Sequence, residues 1–111
     1  MNSRNDLDLQ IDFTGALNVR WSGQANDRRP AAKLEPVFER LLNTRRYLRF
    51  DFSELEHMSS MTLVCVMKFF KQLNEMGVGF DLRYDRGVSW QRMTFAQLDQ
   101  LAAAPQFQMA A

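Results

Sequence analysis

The sequence predicts a single α/β domain built on a mixed β-sheet of about four strands, with an N-terminal hairpin and three to four packed helices. Segments with alternating apolar and polar residues, typical of strands, are followed in turn by segments whose apolar residues recur every three or four positions, typical of helices. Strands that alternate with helices pair in parallel through right-handed crossovers. The 111 residues suffice for one hydrophobic core but not for two, so residues 1–111 are expected to form one domain.

The first half of the chain contains the predicted hairpin and the first predicted helix. Apolar and polar residues alternate on both sides of a Thr-Gly pair, so residues 7–13 and 16–22 are expected to form two strands joined by a tight turn. A connection rich in Gly, Asn, Asp and Pro follows. A helix is then expected over residues 32–43. Pro36 favours a start near Leu34, because proline is tolerated best in the first helical turn.

The second half alternates strands with helices. Residues 47–52 are predicted to form the third strand, and a helix is expected from Ser59 or Ser60 to Met76, with Gly77 as its left-handed C-terminal cap. Residues 78–84 then have the pattern of a strand, and a last helix begins at Ser89. The apolar side of the third strand is expected to pack against the apolar side of the helix that follows it: Leu48, Phe50 and Phe52 against Leu63, Met67 and Phe70.

Composition narrows the function classes. Fourteen basic and 13 acidic side chains give a formal net charge of +1, which does not indicate nucleic-acid binding. Cys65 is the single cysteine, which excludes an intramolecular disulfide and fits a reducing compartment. The apolar runs are too short for a signal peptide or a membrane span, so a cytoplasmic protein without membrane insertion is expected. The ends, residues 1–6 and 104–111, are expected to be flexible.

Candidate catalytic or metal-binding groups are few. His57 has no carboxylate partner at a recognisable spacing, and Cys65 lies in an apolar helix, where a thiol is usually inert. Asp51, Glu54 and Glu56 are interpreted as a solvated acidic group in a turn between strand and helix rather than a metal site. An enzyme is therefore not expected, and neither a cofactor nor a metal ion is predicted.

The run from Tyr47 to Leu101, which begins YLRFDFSELEHMSSMTL, resembles the central and C-terminal part of a STAS domain, the fold of bacterial anti-sigma-factor antagonists. In that family a strand ending in Asp-Leu-Ser precedes an Asp-Ser-Ser-Gly-Leu motif that opens a helix. Residues 51–53 match the strand end, and Gly77 fits the turn after the helix. Upstream, ALNVRWSGQAND resembles the family's second strand and its exit. The matching apolar positions of the motif region are Leu55, Met58 and Leu63.

Compared with the family motif, the sequence MSSMTL keeps the serine that accepts the phosphate but has different residues on both sides of it. Ser59 occupies the aspartate position, Ser60 that of the phosphorylated serine, Met61 that of the next serine or threonine, and Thr62 that of the glycine. Two hypotheses stay open for the serines. In the first, the serines form only a helix cap, a role that suits Ser59 because its hydroxyl can accept first-turn N–H groups. In the second, Ser60 is a phosphorylated switch, with Ser59 as the second choice for the modified residue.

The resemblance implies a non-enzymatic regulatory module that binds a protein partner through Met58, Ser59, Ser60, Met61 and Thr62. The implied partners are a histidine-kinase-like anti-sigma factor or serine kinase and a PP2C-type phosphatase. An alternative is an accessory subunit similar to the STAS partners of lipid-type ABC transport systems, whose serine motifs are often altered.

Overall fold

The structure is a computed structural model that describes residues 6–103, so the predicted flexible ends 1–6 and 104–111 lie outside the described residues except for Asp6. Asp6 is described and forms an isolated bridge with Gln24. No helix within the described range is both long and apolar enough to cross a membrane. The elements in chain order are β1 (Asp8–Asp12), β2 (Leu17–Ala25), α1 (Pro30–Thr44), β3 (Leu48–Met58), α2 (Ser60–Met76), β4 (Phe80–Arg83) and α3 (Ser89–Ala103).

The predicted mixed sheet with an N-terminal hairpin is confirmed. Its four strands lie in the order β1-β2-β3-β4; β1 pairs antiparallel with β2, and the other two pairs are parallel. Gly15 has a φ of 72° in the hairpin turn, a conformation that glycine adopts without steric cost. Alternate residues of β2 and β3 are buried, and each helix sends an aromatic side chain to that side. The three helices therefore cover one face, and no helix or strand among residues 6–103 covers the opposite face.

Aromatic contacts between the sheet and the helices form the centre of the core. The Phe50 ring lies 5.0 Å from that of Phe70 in α2, and the Phe52 ring lies 4.4 Å from that of Phe95 in α3. The predicted packing of β3 against α2 is thus confirmed at Phe70, whereas Leu63 and Met67 are only partly buried at its margin. Phe69, which the predicted stripe omitted, is buried and stacks on Phe38 of α1 at 4.1 Å between ring centroids.

The predicted start of α1 is wrong. The helix begins at Pro30 and includes Pro36 well inside it, rather than starting near Leu34. Pro36 has no N–H for the carbonyl of Ala32 four residues earlier. Both residues are exposed, so water can take the place of the missing donor. Pro30 at the helix start meets no such conflict, because the first N–H groups of a helix have no intrahelical acceptor.

The predicted end of β3 is also wrong. The strand does not stop at Phe52 but continues to Met58, pairing with the end of β2 up to Ala25. Glu54, Glu56 and His57 therefore lie on a strand, not in a turn. Two irregularities in the β2–β3 register interrupt the alternation that marks a strand in the sequence. At the first of them the Asp51 carboxylate accepts hydrogen bonds from the N–H and the hydroxyl of Ser53, at 3.0 and 2.6 Å.

Gln91 of α3 covers the edge of β3 beyond the end of β4. Its carboxamide nitrogen donates to the carbonyls of Ser53 (3.3 Å) and Leu55 (2.9 Å), and its oxygen accepts from the N–H of Asp85 at 2.8 Å. The side chain is 1% exposed. Since buried backbone groups need partners, this glutamine completes the sheet edge and holds the start of α3 beside the second half of β3.

Candidate partner-binding site

The turn between β3 and α2 is held by Ser59, which is the N-cap of α2. Its backbone is extended, with φ −70° and ψ 161°, and its Oγ accepts the N–H of Thr62 at 3.2 Å. The Ser59 carbonyl accepts the N–H of Leu63, the first hydrogen bond of the helix, at 3.0 Å. At the other end Gly77 is in the left-handed conformation with φ 74°. The predicted cap and the predicted end of this helix are confirmed.

Thr62 ties the same turn to the end of β2. Its side chain is 1% exposed, and its hydroxyl donates to the carbonyl of Ala25 at 3.2 Å. That carbonyl also accepts the N–H of Ser59 at 2.8 Å. Since the one hydroxyl hydrogen of Thr62 is used there, the 2.9 Å contact between the two hydroxyls has Ser59 as donor. Thr62, included in the predicted partner surface, thus holds the turn and does not present its side chain to a partner.

Beside this internal network lies an exposed surface that we call the α2 patch: Ser60, Met61 and Val64. Met61 is 58% exposed and Val64 49% exposed, although both are apolar. Met58 and Ser59 are half-buried at its border. Val64 was absent from the predicted site. Its signal in the sequence was available, because it stands four residues after Ser60 and off the predicted buried stripe of the helix.

The other candidate groups do not form a chemical site. Glu54, Glu56 and His57 are exposed along β3. Within residues 6–103 no three or more His, Cys, Asp or Glu side chains are grouped to hold a metal ion. Cys65 is half-buried on α2; burial raises the pKa of its thiol, nearby Glu35 adds to the rise and Lys68 opposes it. A raised pKa lowers the thiolate fraction and makes the thiol less reactive.

A groove runs between α1 and α2, and we call it the α1–α2 groove. Its volume is about 550 Å³. The floor includes the stacked rings of Phe38 and Phe69, and Glu35 and Lys68 lie at its sides. The remaining lining residues are Ala31, Ala32, Pro36, Glu39, Leu42, Cys65 and Gln72.

Comparison with known proteins identifies the fold. No protein-family model matches the chain, and no curated protein matches it. Among solved structures, an anti-sigma factor antagonist from Mycobacterium paratuberculosis superposes with a TM-score of 0.69 at 19% sequence identity, covering 93% of this chain and 88% of that one. The chain therefore has the fold of an anti-sigma factor antagonist, as the resemblance of its sequence to STAS domains predicted.

Proposed function

We propose that this protein is a regulatory module that binds a protein partner through the α2 patch, and that phosphorylation of Ser60 controls the binding. One observation carries the proposal. Ser60 is exposed next to exposed Met61, directly after a cap residue whose own hydroxyl is engaged in internal hydrogen bonds. The turn is thus held by internal hydrogen bonds while the Ser60 side chain is accessible, and a modification site on a docking surface needs both properties.

A phosphate on Ser60 is compatible with the fold. Ser60 is the first residue of α2, where backbone N–H groups have no intrahelical acceptor and the helix dipole favours an anion. The modification adds about two negative charges beside Met61 and Val64. A partner that buries these apolar side chains must also desolvate the phosphate, which opposes binding. Phosphorylation therefore releases the partner without unfolding the module.

The proposed partner is a histidine-kinase-like anti-sigma factor or a related serine kinase, with a PP2C-type phosphatase to reverse the modification in the cytoplasm. The support is the fold shared with a solved anti-sigma factor antagonist and the position of Ser60 at the start of α2. The alternative partner is the ATPase of a lipid-type ABC system. The altered neighbours of the acceptor, Met61 and Thr62, support that alternative, because the STAS partners of such systems often have altered serine motifs.

The experiment is affinity capture from a lysate of the native host with tagged wild type, Ser60→Ala and Ser60→Asp, followed by mass spectrometry and titration of the captured protein. Wild type and Ser60→Ala should bind alike. Ser60→Asp should bind at least tenfold more weakly, which corresponds to about 1.4 kcal/mol. His57→Ala is the matched control near the turn and should stay within about threefold of wild type, because His57 is exposed outside the α2 patch.

The identity of the captured protein separates the kinase from the ABC alternative. A phosphopeptide containing Ser60 in the host would support the switch directly. If Ser60→Asp binds the captured partner as tightly as wild type and no phosphate is found on Ser60, the serines serve only as a cap and the proposed regulation is wrong.

A further inference from the structure

The α1–α2 groove begins beside the α2 patch. Both helices follow strands of the parallel pair β2–β3, and the hydrogen bonds of Ala25 with Ser59 and Thr62 place the starts of α1 and α2 at the same end of the sheet. On α2, positions 61, 65, 68 and 72 are three or four residues apart and form one stripe along the helix. Three of them line the groove. Exposed Met61 is therefore at the upper end of the groove.

The α1 side of the groove is rich in hydrogen-bond acceptors. Glu35 and Glu39 are exposed, one helical turn apart, and neither takes part in an ion pair within the described part of the chain. The carbonyl of Ala32 has no i+4 hydrogen bond, because Pro36 has no N–H to donate. Ala32, Glu35 and Glu39 follow one another at intervals of three or four residues, so these acceptors lie along the α1 side of the groove.

The floor and the opposite wall differ from the α1 side. Phe38 and Phe69 supply an apolar floor, and the small side chains of Ala31 and Ala32 leave its upper part wide. Lys68 is the basic side chain on the α2 wall. A segment bound in the groove would thus contact hydrogen-bond acceptors on the α1 side and apolar surface on the floor. Its own hydrogen-bond donors are therefore expected on the side that faces α1.

We propose that the α1–α2 groove receives an amphipathic helix of the partner, with apolar side chains on the floor and lysine or arginine side chains facing Glu35 and Glu39. The inference rests on the proposed function, because it names the partner element that continues from the α2 patch. The groove extends from Ala31 to Leu42 on α1, about 16 Å at 1.5 Å per residue, which matches three turns of a helix.

A helix fits this surface better than an extended segment. Both walls are helices whose backbone groups between the first and last turns are hydrogen-bonded within the helix, so an added strand would find no continuous row of free N–H and C=O groups to pair with. A helical segment needs no such row of free backbone groups, because it binds a groove through side chains spaced three and four residues apart. Charge then selects among amphipathic helices, because an acidic flank of the bound helix would be repelled by Glu35 and Glu39.

The test uses the full chain and two synthetic peptides of 14 residues. Both peptides carry leucines at helical spacing; one has a flank of lysines, and the other has glutamates at the same positions. Wild type should bind the lysine peptide at least tenfold more tightly than the glutamate peptide, with NMR shift changes confined to residues 31–42 and 61–72. The double substitution Glu35→Lys and Glu39→Lys should abolish or reverse this preference.

Glu75→Lys is the matched control, because Glu75 is exposed on α2 but does not line the groove; it should keep the preference for the lysine peptide. Equal binding of the two peptides, or shift changes outside the groove, would overturn the inference. The two proposals fail separately. Loss of the peptide preference leaves the Ser60 switch standing. Wild-type affinity of Ser60→Asp for its captured partner, together with no phosphate on Ser60 in the host, refutes the switch and leaves the groove measurement unchanged.

Discussion

Replacing Ser59 with alanine should destabilise the protein, whereas the same replacement of Ser60 should not. Ser59→Ala removes the acceptor of the Thr62 N–H, which in helix caps costs about 0.5 to 2 kcal/mol. It also removes the hydrogen bond between the two hydroxyls, about 1 kcal/mol. Thr62 is buried, so in this variant its unpaired N–H cannot readily form a hydrogen bond with water. We therefore expect a total loss of about 1.5 to 3 kcal/mol in the free energy of unfolding.

Ser60→Ala is the control for this loss. Ser60 is exposed and no hydrogen bond of its side chain is present within residues 6–103, and alanine is a better helix former than serine. Its unfolding free energy should remain within about 0.5 kcal/mol of wild type. The assay is urea unfolding followed by far-UV circular dichroism, in which a small domain is expected to unfold in one cooperative step.

A double-mutant cycle with Thr62→Val locates the effect. Valine keeps the shape of the buried side chain but lacks the hydroxyl, so the coupling between the two substitutions should be about 0.5 to 1.5 kcal/mol. Equal losses for Ser59→Ala and Ser60→Ala would refute the assignment of the cap. A coupling near zero would mean that the hydroxyl pair contributes nothing to stability.

Two further substitutions test the core and the sheet edge. Phe50→Ala should lower the unfolding free energy by about 3 to 5 kcal/mol, because Phe50 is fully buried among aromatic rings of α2 and β4; a loss below about 1 kcal/mol in the same urea assay would contradict this placement. Gln91→Leu should cost about 2 to 4 kcal/mol, since it leaves two carbonyls and one N–H without their partner. Gln97→Leu, at an exposed position of the same helix, is the control, and an equal effect of the two would show that the edge of β3 does not depend on Gln91.

Local signals made α2 predictable from the sequence. Its start has a serine that caps a free N–H, its end has a glycine with positive φ, and its buried stripe follows the helical repeat. Such signals act over a few residues and do not depend on the rest of the fold. The helix bounds and the capping role of Ser59 could therefore be inferred before the structure, and so could the exposure of Ser60.

Long-range pairing explains what the sequence did not predict. The second half of β3 is a strand because β2 continues beside it and Gln91 covers its other edge, and two register shifts hide the alternation that would mark it. Thr62 looked like part of an exposed turn because its partner, the carbonyl of Ala25, is distant in sequence. The α1–α2 groove likewise depends on how two helices meet, and no short motif encodes it.

The carbonyl of Ala25 has a consequence for how this turn can vary among homologues. It receives both the Ser59 N–H and the Thr62 hydroxyl, so both of its lone pairs are occupied. Every amino acid carries this carbonyl, and the link between the end of β2 and the start of α2 therefore survives any side-chain exchange at position 25 that fits the buried space. Alignments of related chains can then show different small residues at a position whose backbone links the two elements, and covariation methods that compare side-chain identities will not detect this link.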